Sequence, residues 1–168
     1  ASAGEGELNW NGIERMTKER PDQDTYIHWA LHEAMRLYTP VPVLAKVTQF
    51  DNEELAGHFL PRGTKIQISC TALHSNPEYW GKDVGEFRPE RHKKAEIAKT
   101  LGKDAMYTFV PFSVGNRECI GRRLALIEAK TIIAYVLKSF TLELAPEQTR
   151  DPEADSYIIP VRPANGMF

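Results

Sequence analysis

Cysteine is scarce in this chain: two in 168 residues, at positions 70 and 119. Two thiols so far apart build no disulfide framework and suit a reducing compartment. An excess of one charge is also missing, since 21 Lys and Arg stand against 23 Asp and Glu for a net charge of −2. With no basic block and no aromatic-interleaved basic stripe, the chain shows no footprint for nucleic acid. No apolar run is long enough to span a bilayer, and there is no signal-peptide pattern. Internal repeats, low-complexity tracts and phosphate-cradling glycine loops are absent too. What remains is 42% hydrophobic and 26% charged, an ordinary globular composition able to bury one core and make one domain.

Along the chain, periodicity and turn chemistry predict a mixed α+β fold. Residues 1–24 open with the small, acidic Ala1-Ser2-Ala3-Gly4-Glu5-Gly6-Glu7 and read as a linker or flexible N-terminal segment. From Tyr26 to Tyr38, Ile27, Ala30, Leu31, Ala34, Met35 and Leu37 fall at helical spacing, and Pro40 and Pro42 end the run. Val43 to Gln49 reads as a strand, Asp51 to Glu54 as a polar turn, and Phe59 to Thr64 as hairpin-turn chemistry leading into a second strand, Lys65 to Ser69. The charged stretch Arg91 to Lys103 predicts a surface loop or short exposed helix. Arg122 to Phe140 is the strongest helix, with a wide apolar face through Leu124, Ala125, Ile127, Ala129, Ile132, Ile133, Val136, Leu137 and Phe140. Strands are expected at Thr141 to Leu144 and Tyr157 to Val161, and a turn at Pro163 to Gly166.

The chemistry concentrates in Phe112-Ser113-Val114-Gly115-Asn116-Arg117-Glu118-Cys119-Ile120-Gly121, which reads F-x-x-G-x-R-x-C-x-G just before that helix. This arrangement suits a loop presenting one thiolate to the iron of a heme. A ligating cysteine is deprotonated, and loop amides and a helix N-terminus stabilise its charge. Gly115 permits the turn toward a flat cofactor, and Gly121 lets the backbone pass beneath it without a side chain in the way. Phe112 would keep water from the sulfur, Ile120 adds apolar cover, and the forked guanidinium of Arg117 suits a heme propionate. Thiolate ligation favours O–O cleavage, so the loop suggests oxygen chemistry. Cys70, in the strand-like run from Lys65, reads instead as a small buried hydrophobe.

The loop resembles the cysteine-ligand loop of the cytochrome P450 family of heme-thiolate monooxygenases. Three more motifs in the right order support this: Glu33-Ala34-Met35-Arg36 matches E-x-x-R of the K helix, Phe87-Arg88-Pro89-Glu90-Arg91 matches F-x-P-E-R of the meander, and Ala125 and Glu128 match A-x-x-E. Glu and Arg three apart share a helix face; alone they read as an exposed pair. The resemblance implies a buried structural triad of Glu33, Arg36 and Arg91. His92 stands where the family usually has an aromatic residue, and His74-Ser75-Asn76-Pro77 resembles the turn before the meander.

By this resemblance the fold is the C-terminal part of the cytochrome P450 fold over residues 25–168, with K helix, small sheets, meander, Cys-ligand loop, L helix and terminal hairpin. The implied cofactor is heme b (iron protoporphyrin IX) with Cys119 as axial iron ligand. Phe112, Gly115, Arg117, Ile120 and Gly121 would contact it, Arg117 leading as propionate partner over Lys46 and then His74. The implied activity is insertion of one oxygen atom from O2 into a small hydrophobic organic substrate, with electrons from a reductase. Apolar stretches at Val41 to Ala45 and Tyr157 to Ile159 would face the substrate. The family's distal acid–threonine helix and any membrane anchor precede the matched region, so the chain alone is expected to be inactive; a non-catalytic heme-binding module or pseudoenzyme fragment is the alternative. The resemblance is closer to eukaryotic-type members, many of them anchored at the endoplasmic reticulum. His28, His32 and Glu33 suggest a zinc-like spacing, but Arg36 stands where H-E-x-x-H wants its second histidine, so they read as ordinary helix residues.

Overall fold

A computed structural model describes residues 25–143 and the short segments 154–155 and 162–163. Helix α1 spans Tyr26–Leu37 after an extended Thr25 and stops short of Pro40, whose ring disfavours helical backbone at the residue before it. Strand β1, Val43–Val47, pairs antiparallel with β4, Lys65–Ser69, with Ala45 opposite Gln67. Between them lies a hairpin of β2, Glu53–Leu55, and β3, His58–Leu60. The sequence predicts a polar turn over Asp51 to Glu54 and hairpin-turn chemistry over Phe59 to Thr64, but not these two short strands. The connection is Ala56-Gly57 at φ 50° and 81°, a left-handed pair that favours hairpins, and alanine in its first place hides the signal.

Helix α2, Cys70–His74, starts where the strand-like run was expected to end, and the Ser69 side chain accepts the Ala72 amide at 3.1 Å as its cap. Helix α3, Pro77–Trp80, carries proline at its first position, and Asn76 Oδ1 accepts the Glu78 amide at 2.9 Å. A 3-10 turn at Pro89–His92 packs on α1. Helix α4, Lys94–Thr100, buries nothing, in keeping with its charge. After a 3-10 turn at Gly102–Asp104 and α5, Ala105–Thr108, a last 3-10 turn at Gly115–Arg117 leads to α6, Arg122–Ser139. A two-residue pairing joins β5, Ala154–Asp155, to β6, Arg162–Pro163.

The described core is unusually polar. Cys70, Trp80, Leu101, Val110 and Leu126 are buried, but so are Glu33, Arg36, Thr39, Thr48, His74, Arg91, His92, Thr108 and Lys130. Two expectations are corrected. The apolar face read on α6 lies largely in the open, with Leu124, Ile132, Leu137 and Phe140 exposed, while Leu126 and Lys130, one turn apart, are buried. The physical reason is that α6 meets other described elements along one narrow stripe, chiefly against α1. Thr141 to Glu143 form no strand. The linker of residues 1–24, Leu144 and the Tyr157–Val161 strand lie outside the described residues.

Candidate functional site

The deepest charged group is the Glu33 carboxylate, which accepts five hydrogen bonds. Arg36 donates to it twice, from Nε to Oε2 at 2.8 Å and from Nη2 to Oε1 at 2.9 Å. Arg91 Nε donates to Oε1 at 2.8 Å, the Arg88 amide to Oε1 at 3.0 Å, and His92 Nε2 to Oε2 at 2.9 Å. Burial alone would raise the Glu33 pKa, but the bonds from Arg36, His92 and the Arg88 amide outweigh it and hold the carboxyl well below the usual range. Glu33, Arg36 and Arg91 therefore meet in one place. His92 is the member that sequence reasoning missed; the signal was a histidine directly after P-E-R.

The two guanidinium groups then spend their remaining protons on backbone. Arg36 donates to the carbonyls of His74 at 2.9 Å and Val84 at 2.8 Å, and Arg91 to those of Trp80 at 2.9 Å and Asp83 at 3.0 Å. Arg36 also lies 5.2 Å from the Trp80 ring centroid, within cation–π range. Segment 80–88 has little secondary structure, and this network shapes it.

The cysteine loop is built by backbone. The Ser113 amide donates to the Val110 carbonyl at 3.0 Å, and the Cys119 amide donates to the Phe112 carbonyl at 2.9 Å, which closes the loop on itself. Gly115 sits at φ 79°, in the left-handed region where a β-carbon is disfavoured. Ser113, at φ 65°, adopts that region as well. Cys119 lies two residues before the α6 N-cap, Gly121, which offers no side chain to cap the helix, so the positive end of the helix dipole is open to a nearby thiolate. A β-carbon at Gly121 would meet the Cys119 sulfur at 3.8 Å, an ordinary contact that would crowd one side of it.

Around the sulfur, Cys119 and Arg117 are exposed and Phe112 is half-buried, while Ile120 is 104% exposed. An isoleucine held entirely in water beside an open thiol lacks the apolar partner that would shield it. One soft donor, aliphatic and aromatic cover and a guanidinium form a set that fits a heme. A bare metal ion is less well served, because no three His, Cys, Asp or Glu side chains converge among the described residues. Lys46 is exposed on β1, opposite Ile66. Val43 and Ala45 are exposed too, while Val41, Pro42 and Leu44 are half-buried.

His74 corrects a sequence expectation. It is fully buried, and both ring nitrogens are taken, Nε2 by the Val110 amide at 3.0 Å and Nδ1 by Thr39 Oγ1 at 2.9 Å. No ring nitrogen is left for a propionate. His32 Nδ1 donates to the His28 carbonyl at 2.8 Å. Burial, helped by the neighbouring His28, lowers the His32 pKa to about 3. Phe109 is the hub of this region, with the rings of His92, His74, His32 and Trp80 at 5.1, 5.3, 5.5 and 6.0 Å from its own. Burial also raises the Cys70 pKa, as suits a packed thiol.

Comparison with known proteins decides the family: the cytochrome P450 family model matches residues 13–167. The chain belongs to the cytochrome P450 family. The 7-deoxyloganic acid hydroxylase of Catharanthus roseus is 39% identical over 137 residues, 79% of this chain and 26% of that protein. Cytochrome P450 72A397 of Kalopanax septemlobus is 34% identical over 92% of this chain and 29% of its own length. Secologanin synthase 1 of Catharanthus roseus is 34% identical over 80% of this chain and 25% of its own. The chain thus spans about a quarter of the length of these relatives. Membership identifies the small sheets and long helix described above as part of a cytochrome P450 fold.

Proposed function

We propose that Cys119 is the axial thiolate of a heme b and that this chain forms the heme-binding part of a monooxygenase acting on a small hydrophobic organic substrate. The observation that carries this reading is the exposed thiol at the mouth of a backbone-closed loop, ahead of the uncapped start of α6. A heme held there supplies the O2 chemistry, with electrons from a reductase. The chain's own residues have narrower tasks. Cys119 gives the thiolate, Arg117 pairs with a propionate, Phe112 and Ile120 exclude water from the sulfur, and Gly115 and Gly121 set the loop's path. Lys46 is the second propionate candidate.

The names of the relatives, a hydroxylase of 7-deoxyloganic acid and a secologanin synthase, support an oxidised small-molecule product. Placement on the cytoplasmic side of the endoplasmic reticulum membrane is part of the same reading. Among the described residues no helix is long and apolar enough to cross a membrane.

The test is spectroscopic. Reduced protein under carbon monoxide should show its Soret band at the long-wavelength position diagnostic of thiolate, and Cys119→Ala should lack it. A wild-type band at the position typical of nitrogen ligation overturns the reading. Because the chain covers only about a quarter of its relatives, the 168 residues alone should hold heme without turning over; NADPH-dependent product formation with a reductase would instead establish an active chain.

A further inference from the structure

We infer that His74 is a positioning residue for the cysteine loop, joining the buried Glu33–Arg36–Arg91 network to the stem from which Cys119 is presented. The inference rests on the proposed role of Cys119 for its consequence, but its geometry is independent of that role.

The hydrogen bonds around His74 leave one arrangement. The amide of Val110 can only donate, so Nε2, 3.0 Å away, is the unprotonated ring nitrogen. Nδ1 then carries the proton and donates to Thr39 Oγ1 at 2.9 Å. The Thr39 hydroxyl in turn donates to the Arg36 carbonyl at 3.1 Å, and Arg36 Nη1 donates to the carbonyl of His74 itself at 2.9 Å. The imidazole is therefore held from the C-terminal end of α1 by both its ring and its backbone. Burial, with the charges of Arg36 and His92 adding to it, lowers the His74 pKa to about 4, so the neutral tautomer persists near pH 7.

On the other side of the ring stands the loop. Val110 is 5% exposed, and its carbonyl accepts the Ser113 amide that turns the chain into the loop. Two residues after Val110, Phe112 accepts the Cys119 amide. Just before it, Phe109 packs 5.3 Å from the His74 ring. The segment entering the loop is thus located by one side-chain acceptor whose own orientation is set by the C-terminal end of α1. A rigid ring with a donor at δ and an acceptor at ε meets both demands at once. Glutamine can reproduce the ε acceptor, asparagine only the δ donor.

The first measurement is deuterium exchange at the Val110 amide, which needs no heme. His74→Phe fills the space but removes the acceptor, and exchange should speed by on the order of tenfold or more, while His74→Gln should stay close to wild type. Thr39→Val frees the ring without touching the loop and should give an intermediate, several-fold rise; it also decides the matter if His74→Phe does not fold. In heme-loaded protein, His74→Phe should retain heme but lose the long-wavelength reduced carbon-monoxide band, and His74→Gln should keep it. Unchanged Val110 exchange in His74→Phe, or in Thr39→Val where the former does not fold, overturns the inference. An unchanged band in His74→Phe also overturns the positioning role. A wild-type protein without that band removes the proposed function instead, and the exchange arm still judges the bond between His74 and Val110.

Discussion

Glu33 and His92, 59 residues apart in sequence, are joined by a 2.9 Å hydrogen bond in the buried centre of the protein. Burial lowers the His92 pKa while the Glu33 bond and charge oppose it. The ring is then a neutral donor rather than a third cation beside Arg36 and Arg91. One carboxylate faces two guanidinium groups, and the surrounding carbonyls absorb the excess positive charge.

Breaking that centre should be severe. Arg36→Ala leaves Glu33 without its bidentate partner and removes the three bonds to the backbone carbonyls of His74, Val84 and Glu86. Removing one partner of a buried ion pair costs roughly 3–5 kcal/mol. Urea denaturation should show a loss of that size, and heme incorporation should fail. A variant with normal heme content would contradict the structural role.

Acid should weaken the fold well before carboxylates titrate. The folded pKa values of His32 and His74, about 3 and about 4, lie below the unfolded value of 6.5. Their contribution to stability is therefore complete above about pH 6.5. It declines as pH falls toward 4 and then 3, because the unfolded chain binds protons that the folded one refuses. Denaturation midpoints measured from pH 7.5 to 5 should hold down to about pH 6.5 and fall below it, and His32→Phe should flatten that fall. A midpoint independent of pH across that interval would show that the rings are not held neutral.

Position, not glycine content, should decide loop substitutions. Gly115→Ala forces a β-carbon into the left-handed region at φ 79°, at a cost of about 1–2 kcal/mol. Gly85→Ala meets no atom within 4 Å and needs no positive φ, so it should be neutral or slightly stabilising. Thermal melts of the two variants side by side provide the check.

On α6, Leu126→Ala should cost about 2–5 kcal/mol because the side chain is only 2% exposed. Leu124→Ala, removing a side chain 68% exposed, should change stability in this chain by less than about 0.5 kcal/mol. Chemical denaturation of both variants would reveal which stripe is packed; equal losses would contradict the packing described here.

Much of this protein is legible in its sequence. The helical spacing from Ile27 to Leu37, the proline stop, the alternation at Lys65 to Ser69 and the long apolar run after Gly121 all express short-range physics, and each is an element of the fold. The E-x-x-R, F-x-P-E-R and cysteine motifs identified the family because loop closure and ion-pair geometry demand particular residues at fixed spacing. Other features depend on what meets what across the chain. Periodicity marks an apolar face without saying that anything covers it, so the burial of Leu126 and Lys130 instead of Leu124 and Ile132 was decided by the approach of α1. A histidine carries no sign of its partners, so only the tertiary structure could assign His92 to Glu33 and His74 to Val110. Local sequence determines where the backbone bends and which residues can bear charge or metal; long-range packing determines which of those charges and rings are drawn out of water together.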